Sequence, residues 1–240
     1  MPLSGSFDLP PDAAHHASRV LRLRVGDAVE IFDGTGHECR GLIAELSGKR
    51  VTVANLTATN INREAPLQVV LAQALCSSEK MDWVIQKATE LGVTQIVPMI
   101  SVRTERGLDK AAPKRLERWR RIGLEASQQS RRAHLPEIAE PASWEDVLAT
   151  AGTYRYALDE NGTQPLPTMF PVERRADDSV ALLIGPEGGW TTEERSEFTA
   201  AGWAPVSLGP SILRAETAAL AALAIVSAAW LPPGVATLKH

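Results

Sequence analysis

The chain has 240 residues, of which 44% are hydrophobic, so it can bury a core as one large or two small domains. Its two cysteines, Cys39 and Cys76, are too few for a disulfide framework or a metal cluster, and we expect no metal site. The first nine residues lack the features of a signal peptide, and the longest apolar stretch, residues 217–231, is shorter than the roughly 20 residues of a membrane span. We therefore expect a cytoplasmic protein with no membrane partner.

Residues 1–65 are predicted to form β structure. Short β-rich segments at 28–32, 39–46 and 50–56 are separated by the hairpin-type turns 33–36 and 47–49. Closely spaced short strands are typical of a small barrel. His15 and His16 are neighbours, and in an extended segment they would point to opposite faces, which argues against a joint ligand role. Residues 62–66 read as a linker.

From residue 67 onward, strands alternate with helices, which predicts a mostly parallel sheet covered on both faces. A helix capped by Ser78 should run to Leu91 and end at Gly92, and a basic helix should begin at Pro113. The remaining predicted strands are 68–71, 94–100, 153–158, 180–184 and 206–208, and the remaining helices are 143–150 and 215–230.

Residues 103–132 form a basic segment that contains ten lysines and arginines and only four acidic residues. The net charge of the whole chain, −4, argues mildly against a nucleic-acid partner. A local excess of positive charge can nevertheless steer an RNA towards one surface.

Two glycine-rich turns follow predicted strands, and they are the most informative feature of the chain. The first is Gly185-Pro186-Glu187-Gly188-Gly189, and the second is the run Ser207-Leu208-Gly209-Pro210-Ser211-Ile212-Leu213-Arg214. Glycine lets the backbone approach a ligand closely, and ligands of open α/β sheets bind beyond the carboxyl ends of strands. The two turns therefore predict one pocket, and Thr191 with Glu194 predicts a capping box at the helix after the first turn.

These two motifs resemble the signature of the RsmE family of ribosomal RNA methyltransferases, which belongs to the SPOUT superfamily. The second motif continues through Glu216, Thr217 and Ala218 without departure, and residues 16–27, 86–93 and 119–130 also look familial. One departure is Arg131, which stands where the family usually has a small residue before Arg132.

The resemblance implies an α/β protein with two domains: a PUA-like β-barrel that binds RNA at 1–65, and a SPOUT domain with a trefoil knot at 66–240. It also implies a homodimer that uses S-adenosylmethionine to methylate N3 of a uridine in 16S ribosomal RNA, on the free RNA or in the small ribosomal subunit. Without the resemblance, the pattern predicts only an open sheet, because true knots are exceptional.

The site residues that we predict fall into three groups. The cofactor is expected to bind at Ile184, Gly185, Glu187, Gly188, Gly189, Leu208, Gly209, Ile212, Leu213 and Thr217. Arg214 is expected to stabilise negative charge on the uracil oxygens or to pair with Glu187 or Glu216, and Glu187 is a candidate general base or an organiser of backbone amides. RNA contacts are expected from Arg19, Arg22, Arg24, Arg103, Arg131 and Arg132.

Two other functions remain open at this stage. A dinucleotide-dependent oxidoreductase shares the strand–turn–helix layout, but the Gly-x-Gly-x-x-Gly spacing and an acidic residue about twenty positions later are missing. A catalytically silent RNA-binding or ribosome-assembly factor would have the same fold, although the intact motifs weigh against it.

Overall fold

The structure is a computed structural model that describes residues 5–48, 50–59 and 67–231. The linker expected at 62–66 lies outside these residues. The chain divides into two compact units, an N-terminal unit of Met1–Arg63 with Arg131–His134 and a C-terminal unit of Glu64–Ser130 with Leu135–His240. The short segment Arg131–His134 therefore belongs with the N-terminal unit, although the sequence pattern placed it in the second domain.

The N-terminal unit contains a four-stranded antiparallel sheet with the strand order β1-β4-β3-β2. Its strands are β1 (Ser6–Asp8), β2 (Ala28–Phe32), β3 (Glu38–Ser47) and β4 (Arg50–Thr59). Alternate residues of β3 and β4, including Cys39, Ile43 and Val53, are fully buried, as expected when one face of an antiparallel sheet covers a core. The three expected strands are confirmed, and β1 was missed. Closure of this sheet into a barrel stays a prediction.

A helical segment that the sequence analysis missed precedes β2. Helix α1 (Pro11–His15) continues into a π-helical turn over His16–Val20. Pro11 occupies the first helical turn, where backbone N–H groups have no partner within the helix, so the lack of an N–H in proline costs no hydrogen bond. Ala14 and Ala17 are buried. The expectation that His15 and His16 lie in an extended segment is therefore wrong.

The C-terminal unit contains a six-stranded sheet with the order β10-β8-β9-β5-β6-β7, in which all five strand pairs are parallel. Its strands are β5 (Gln68–Ala74), β6 (Gln95–Met99), β7 (Glu137–Ile138), β8 (Tyr154–Leu158), β9 (Ser179–Ile184) and β10 (Ala204–Val206). The mostly parallel α/β fold is confirmed, and the trefoil knot stays a prediction.

Both faces of the parallel sheet are buried, each against its own core. In β9, Val180, Leu182 and Ile184 join one cluster, whereas Ala181 and Leu183 join the other, because successive side chains of a strand point to opposite faces. This double burial explains why the strand sequence is apolar throughout and does not alternate with polar residues.

The helices of the C-terminal unit connect these strands and cover both faces. They are α2 (Ser78–Glu90), α3 (Leu108–Ser130), α4 (Trp144–Leu148), α5 (Thr192–Ala200) and α6 (Ala215–Ala229). Thr191 and Glu194 form the expected capping box of α5. In the part of the chain that the structure describes, no helix is long and apolar enough to cross a membrane.

Several element boundaries differ from the sequence-based expectation, and three of the differences concern α2, α3 and β10. The N-cap of α2 is Ser77 and not Ser78. Helix α3 begins at Leu108, five residues before Pro113, and the buried Ala112 anchors its first turns despite the internal proline. Strand β10 ends at Val206, where residues 206–208 were expected as strand, so the second glycine-rich segment is loop from Ser207 onward.

Candidate active site

A cavity of about 600 Å³ lies at the carboxyl ends of the parallel strands, and its volume is within the range typical of small-molecule sites. Strands β10, β8, β9 and β5 are neighbours and parallel, so their carboxyl ends meet at this edge. The cavity is lined by residues 158–160, 184–190 and 206–215, together with Lys80 and Ala218.

The first glycine-rich turn forms one wall of the cavity, and at two of its positions a side chain would clash with neighbouring residues. A Cβ atom at Gly185 would lie 2.8 Å from the Trp190 indole, which is itself buried and donates a hydrogen bond to the Leu158 carbonyl at 2.8 Å. Gly189 has a φ of +69°, and a Cβ there would lie 2.9 Å from Glu160 Oε1. Larger residues at either position would displace the wall of the cavity.

Side chains from neighbouring loops hold this turn in place. Arg103 Nη1 donates to the Gly188 carbonyl at 2.6 Å, and Glu194 Oε1 accepts from the Val102 amide at 2.9 Å. The other oxygen of Glu194 accepts from the Thr191 amide as part of the capping box. The turn is therefore fixed by a cation and a carboxylate before any ligand binds.

The second glycine-rich loop leaves β10 and leads into α6, and it exposes apolar side chains to the cavity. Ile212 is 86% exposed and Leu213 is 37% exposed. Gly209 has a φ of +128°, a backbone conformation that other residues rarely adopt. Arg214 is exposed at the N-terminus of α6, and in the described residues its side chain makes no hydrogen bond or ion pair. The expected pairing of Arg214 with Glu187 or Glu216 is therefore wrong in this structure.

Lys80, on the first turn of α2, pairs with the acidic residues of the site in place of Arg214. Its ammonium nitrogen donates to Glu187 Oε1 at 2.9 Å and lies 3.7 Å from Glu216 Oε1. These contacts, led by the hydrogen bond to Glu187, raise the pKa of Lys80. The sequence analysis missed Lys80, because nothing in its local sequence links it to the glycine-rich turns.

Cys76 lies close to the same charges and is buried in the short loop between β5 and α2. Burial raises the pKa of its thiol to about 12, and the negative charges of Glu187 and Glu216 add to this effect. A thiol with such a pKa stays protonated at neutral pH, which argues against a nucleophilic role for Cys76.

Of the predicted cofactor-binding residues, the structure brings nine to the cavity: Ile184, Gly185, Glu187, Gly188, Gly189, Leu208, Gly209, Ile212 and Leu213. Thr217 does not line it. On α6, Ala215 and Ala218 face the cavity, whereas Thr217 is rotated about 100° from Ala218 and about 200° from Ala215 around the helix axis. The structure also adds Asp159 and Glu160, which follow β8 and which the sequence analysis did not select.

The arginines predicted to bind RNA have different environments. Arg19, Arg22, Arg24 and Arg131 are exposed, whereas Arg132 is only 5% exposed. Arg131 has a φ of +57°, in the left-handed region that favours glycine. Within the described ranges, no group of three or more His, Cys, Asp or Glu residues could hold a metal ion.

Comparison with known families agrees with this site and fold. Residues 63–227 match the RNA methyltransferase domain family, and residues 9–54 match the RNA methyltransferase PUA domain family. The first match covers the whole parallel sheet and every residue that lines the cavity. The fold and the site therefore define an RNA methyltransferase.

The similar proteins narrow the class to one family. The chain is 32% identical to ribosomal RNA small subunit methyltransferase E of Bacillus subtilis, over 92% of this chain and 90% of that protein. It is 38% identical to the protein of the same name from Synechocystis, over 89% of this chain and 70% of that protein. A crystal structure of a ribosomal RNA small subunit methyltransferase E from Neisseria gonorrhoeae bound to S-adenosyl methionine superimposes with a TM-score of 0.87, at 32% identity over 96% of this chain and 94% of that one. This chain belongs to the ribosomal RNA small subunit methyltransferase E family.

Proposed function

We propose that this enzyme transfers the methyl group of S-adenosylmethionine to N3 of a uridine in the 16S ribosomal RNA of the small subunit. The observation that carries the proposal is the cavity at the strand ends, where both glycine-rich loops converge on the exposed Arg214, which pairs with none of the described residues. The relatives named for methylation of small-subunit ribosomal RNA support the choice of substrate. We propose that the enzyme acts in the cytoplasm, because its proposed substrate is located there.

The residues of the cavity fit S-adenosylmethionine. A volume of about 600 Å³ accommodates a ligand of this size, and the exposed side chains of Ile212 and Leu213 offer apolar cover for an adenine ring. Gly188 and Gly209 leave backbone groups accessible at the wall. When bound, the cofactor supplies a methyl group that is activated by a sulfonium.

We assign to Arg214 the stabilisation of negative charge on the uracil oxygens. N3 of uracil is mostly protonated at neutral pH, so charge develops on the ring oxygens as its proton leaves. The guanidinium of Arg214 is exposed and is not paired within the described part of the chain, so it can form bidentate hydrogen bonds to such a group. Its position at the N-cap of α6 also adds the positive end of a helix dipole.

Glu187 is our candidate for the group that accepts the N3 proton. Its side chain is 53% exposed, lines the cavity and is held by Lys80 at 2.9 Å. Lys80 would thus orient Glu187 and balance the buried charge of Glu216.

We propose that the N-terminal unit and the basic surface of α3 hold the RNA, with residues 1–65 as a PUA-like domain and 66–240 as the methyltransferase domain. Arg19, Arg22 and Arg24 are exposed close together in the sequence, and such residues bind phosphates without reading the base sequence. Arg103 is occupied by the Gly188 carbonyl, so we assign it to the turn and not to RNA. Of the adjacent pair, the exposed Arg131 is the better candidate for RNA contact than the buried Arg132.

We also propose that the enzyme is a homodimer that pairs through α6. Leu220 and Ile225 on this helix are only half-buried, whereas Leu223 is fully buried in the core of the C-terminal unit. Half-buried apolar residues on one helix are typical of an interface between subunits. Light scattering at micromolar concentration should give a dimer for the wild type and a monomer for Leu220→Asp, and a monomeric wild type would contradict the proposal.

Transfer of tritiated methyl groups to small ribosomal subunits that lack the modification tests the proposed reaction. The wild type should label the RNA, and Arg214→Ala should keep its affinity for S-adenosylhomocysteine while the rate falls by about 10²–10³. Arg175→Ala is a matched control, because Arg175 is exposed and lies outside the cavity. An Arg214→Ala enzyme of normal rate would overturn the assignment of Arg214.

A further inference from the structure

Glu160 is a carboxylate at the cavity that neither the sequence motifs nor the resemblance selects. It follows β8 by two residues, and β8 pairs in parallel with β9, whose end carries the first glycine-rich turn. The register places Leu158 opposite Ile184, so the segment that contains Glu160 leaves the sheet beside the turn. Its side chain is 39% exposed.

Arg195 of α5 fixes the position of this carboxylate. Its Nη2 donates to Glu160 Oε1 at 2.7 Å, and Nη1 donates to the Trp190 carbonyl at 2.7 Å. The same guanidinium makes three hydrogen bonds of 2.9–3.1 Å to the buried Asp159. One side chain therefore ties the loop after β8 to the glycine-rich turn, and Glu160 is oriented before a ligand arrives.

The second oxygen of this carboxylate, Oε2, makes no hydrogen bond to any of the described residues. It is therefore able to accept hydrogen bonds from a ligand in the cavity that Glu160 lines. The absence of a Cβ atom at Gly189, which would lie 2.9 Å from Oε1, leaves room for the carboxylate in this position.

This placement corresponds to a general solution in nucleotide-binding α/β sheets. There, an acidic residue at the end of the strand beside the glycine-rich turn accepts hydrogen bonds from ribose hydroxyls. In sequence, such an acidic residue is sought about twenty positions after the turn. Here it precedes the turn, because β8 comes before β9 in the chain.

We propose that Glu160, positioned by Arg195, binds the ribose hydroxyls of the adenosine part of the cofactor. The inference rests on the proposed function, since it takes the cavity as the site of S-adenosylmethionine. It adds a contact through which the site distinguishes ribose from deoxyribose. The contact also couples ligand binding to the loop that Arg195 holds.

Calorimetric titration with two ligands tests the inference. S-adenosylhomocysteine carries both ribose and amino acid, whereas 5′-methylthioadenosine keeps the ribose and lacks the amino acid. Glu160→Gln should lower the affinity for both ligands by a similar factor, about tenfold, because a charge-assisted hydrogen bond is lost in each case. Glu193→Gln, an equal change of charge at an exposed position of α5 outside the cavity, should leave both affinities unchanged.

A third ligand completes a double-mutant cycle. The 2′,3′-dideoxy form of 5′-methylthioadenosine should bind the wild type as weakly as it binds Glu160→Gln, because the partner of Glu160 has been removed. If Glu160→Gln weakens only S-adenosylhomocysteine, the carboxylate binds the amino-acid ammonium and the ribose assignment is wrong. If neither ligand is weakened, Glu160 is not a cofactor contact, although the proposed function stands. A wild type that binds no S-adenosylhomocysteine would overturn both.

Discussion

Ile212 gives the sharpest test of where the cofactor lies, because its exposure is unusual for a large aliphatic side chain. It is 86% exposed on the second glycine-rich loop and lines the cavity. Replacing Ile212 with alanine should therefore leave the stability of the free protein almost unchanged. Val172→Ala is the matched control, since Val172 is 98% exposed and lies outside the cavity.

The expected loss of affinity follows from the apolar surface that a ligand would cover. Ile212→Ala removes three carbon atoms, and each buried CH₂ group contributes about 0.8 kcal/mol. If the ligand covers somewhat more than half of this group, the loss is about 1.4 kcal/mol, which corresponds to about tenfold in Kd.

Titration calorimetry with S-adenosylhomocysteine in the absence of RNA measures this effect directly. Without RNA, a loss of affinity cannot be attributed to a contact between Ile212 and the substrate. If Ile212→Ala and Val172→Ala both bind S-adenosylhomocysteine like the wild type, the exposed loop lies apart from the bound cofactor and the proposed cofactor position is wrong.

Three further predictions concern stability. Arg195→Met leaves the buried Asp159 carboxylate without its cation and should lower the free energy of unfolding by about 3–5 kcal/mol, seen as a lower Tm. Burial raises the pKa of Asp33, but hydrogen bonds from Thr35 and from the backbone of residue 37 outweigh it and lower the pKa from 3.8 to about 2. The stability that Asp33 contributes is thus present above pH 4 and is lost as pH falls towards 2. Asp33→Asn should therefore reduce the loss of unfolding free energy between pH 4 and pH 2 by at most about 2 kcal/mol, as measured by denaturant titration at each pH. Leu223→Asp, which puts a charge in the core, should abolish cooperative unfolding rather than yield a folded monomer.

The glycine-rich walls of the site were predictable from sequence because each part depends on local chemistry. A turn that needs glycine beside Trp190, and a capping box formed by Thr191 and Glu194, both appear as short motifs. The buried strand β9 was predictable for a similar reason, since burial on both faces requires a run of apolar residues.

Lys80, Asp159 and Glu160 could not be found in this way, because their importance comes from the strand order. Lys80 lies 107 positions from its partner Glu187 and reaches it only because the ends of β5 and β9 are adjacent. The sequence around a strand does not indicate which other strand will be its neighbour in the sheet. The position of Thr217 outside the cavity, in contrast, follows from helical geometry once the start of α6 is known.

The N-terminal helix was missed despite a readable signal. Pro11 opens α1, and proline is favourable in the first turn of a helix. The basic helix shows the opposite error, since Pro113 was taken as its first residue although α3 begins five residues earlier. In both helices an alanine near the first residue is buried, Ala14 in α1 and Ala112 in α3.

Mapping of methylated bases in ribosomal RNA shows whether this protein forms N3-methyluridine in the cell. Small-subunit RNA from cells that lack this protein would be digested to nucleosides and analysed by mass spectrometry for N3-methyluridine. We predict that the nucleoside is absent, that the wild-type gene restores it and that the gene for Arg214→Ala does not. Unchanged N3-methyluridine in the cells without the protein would contradict the proposed reaction.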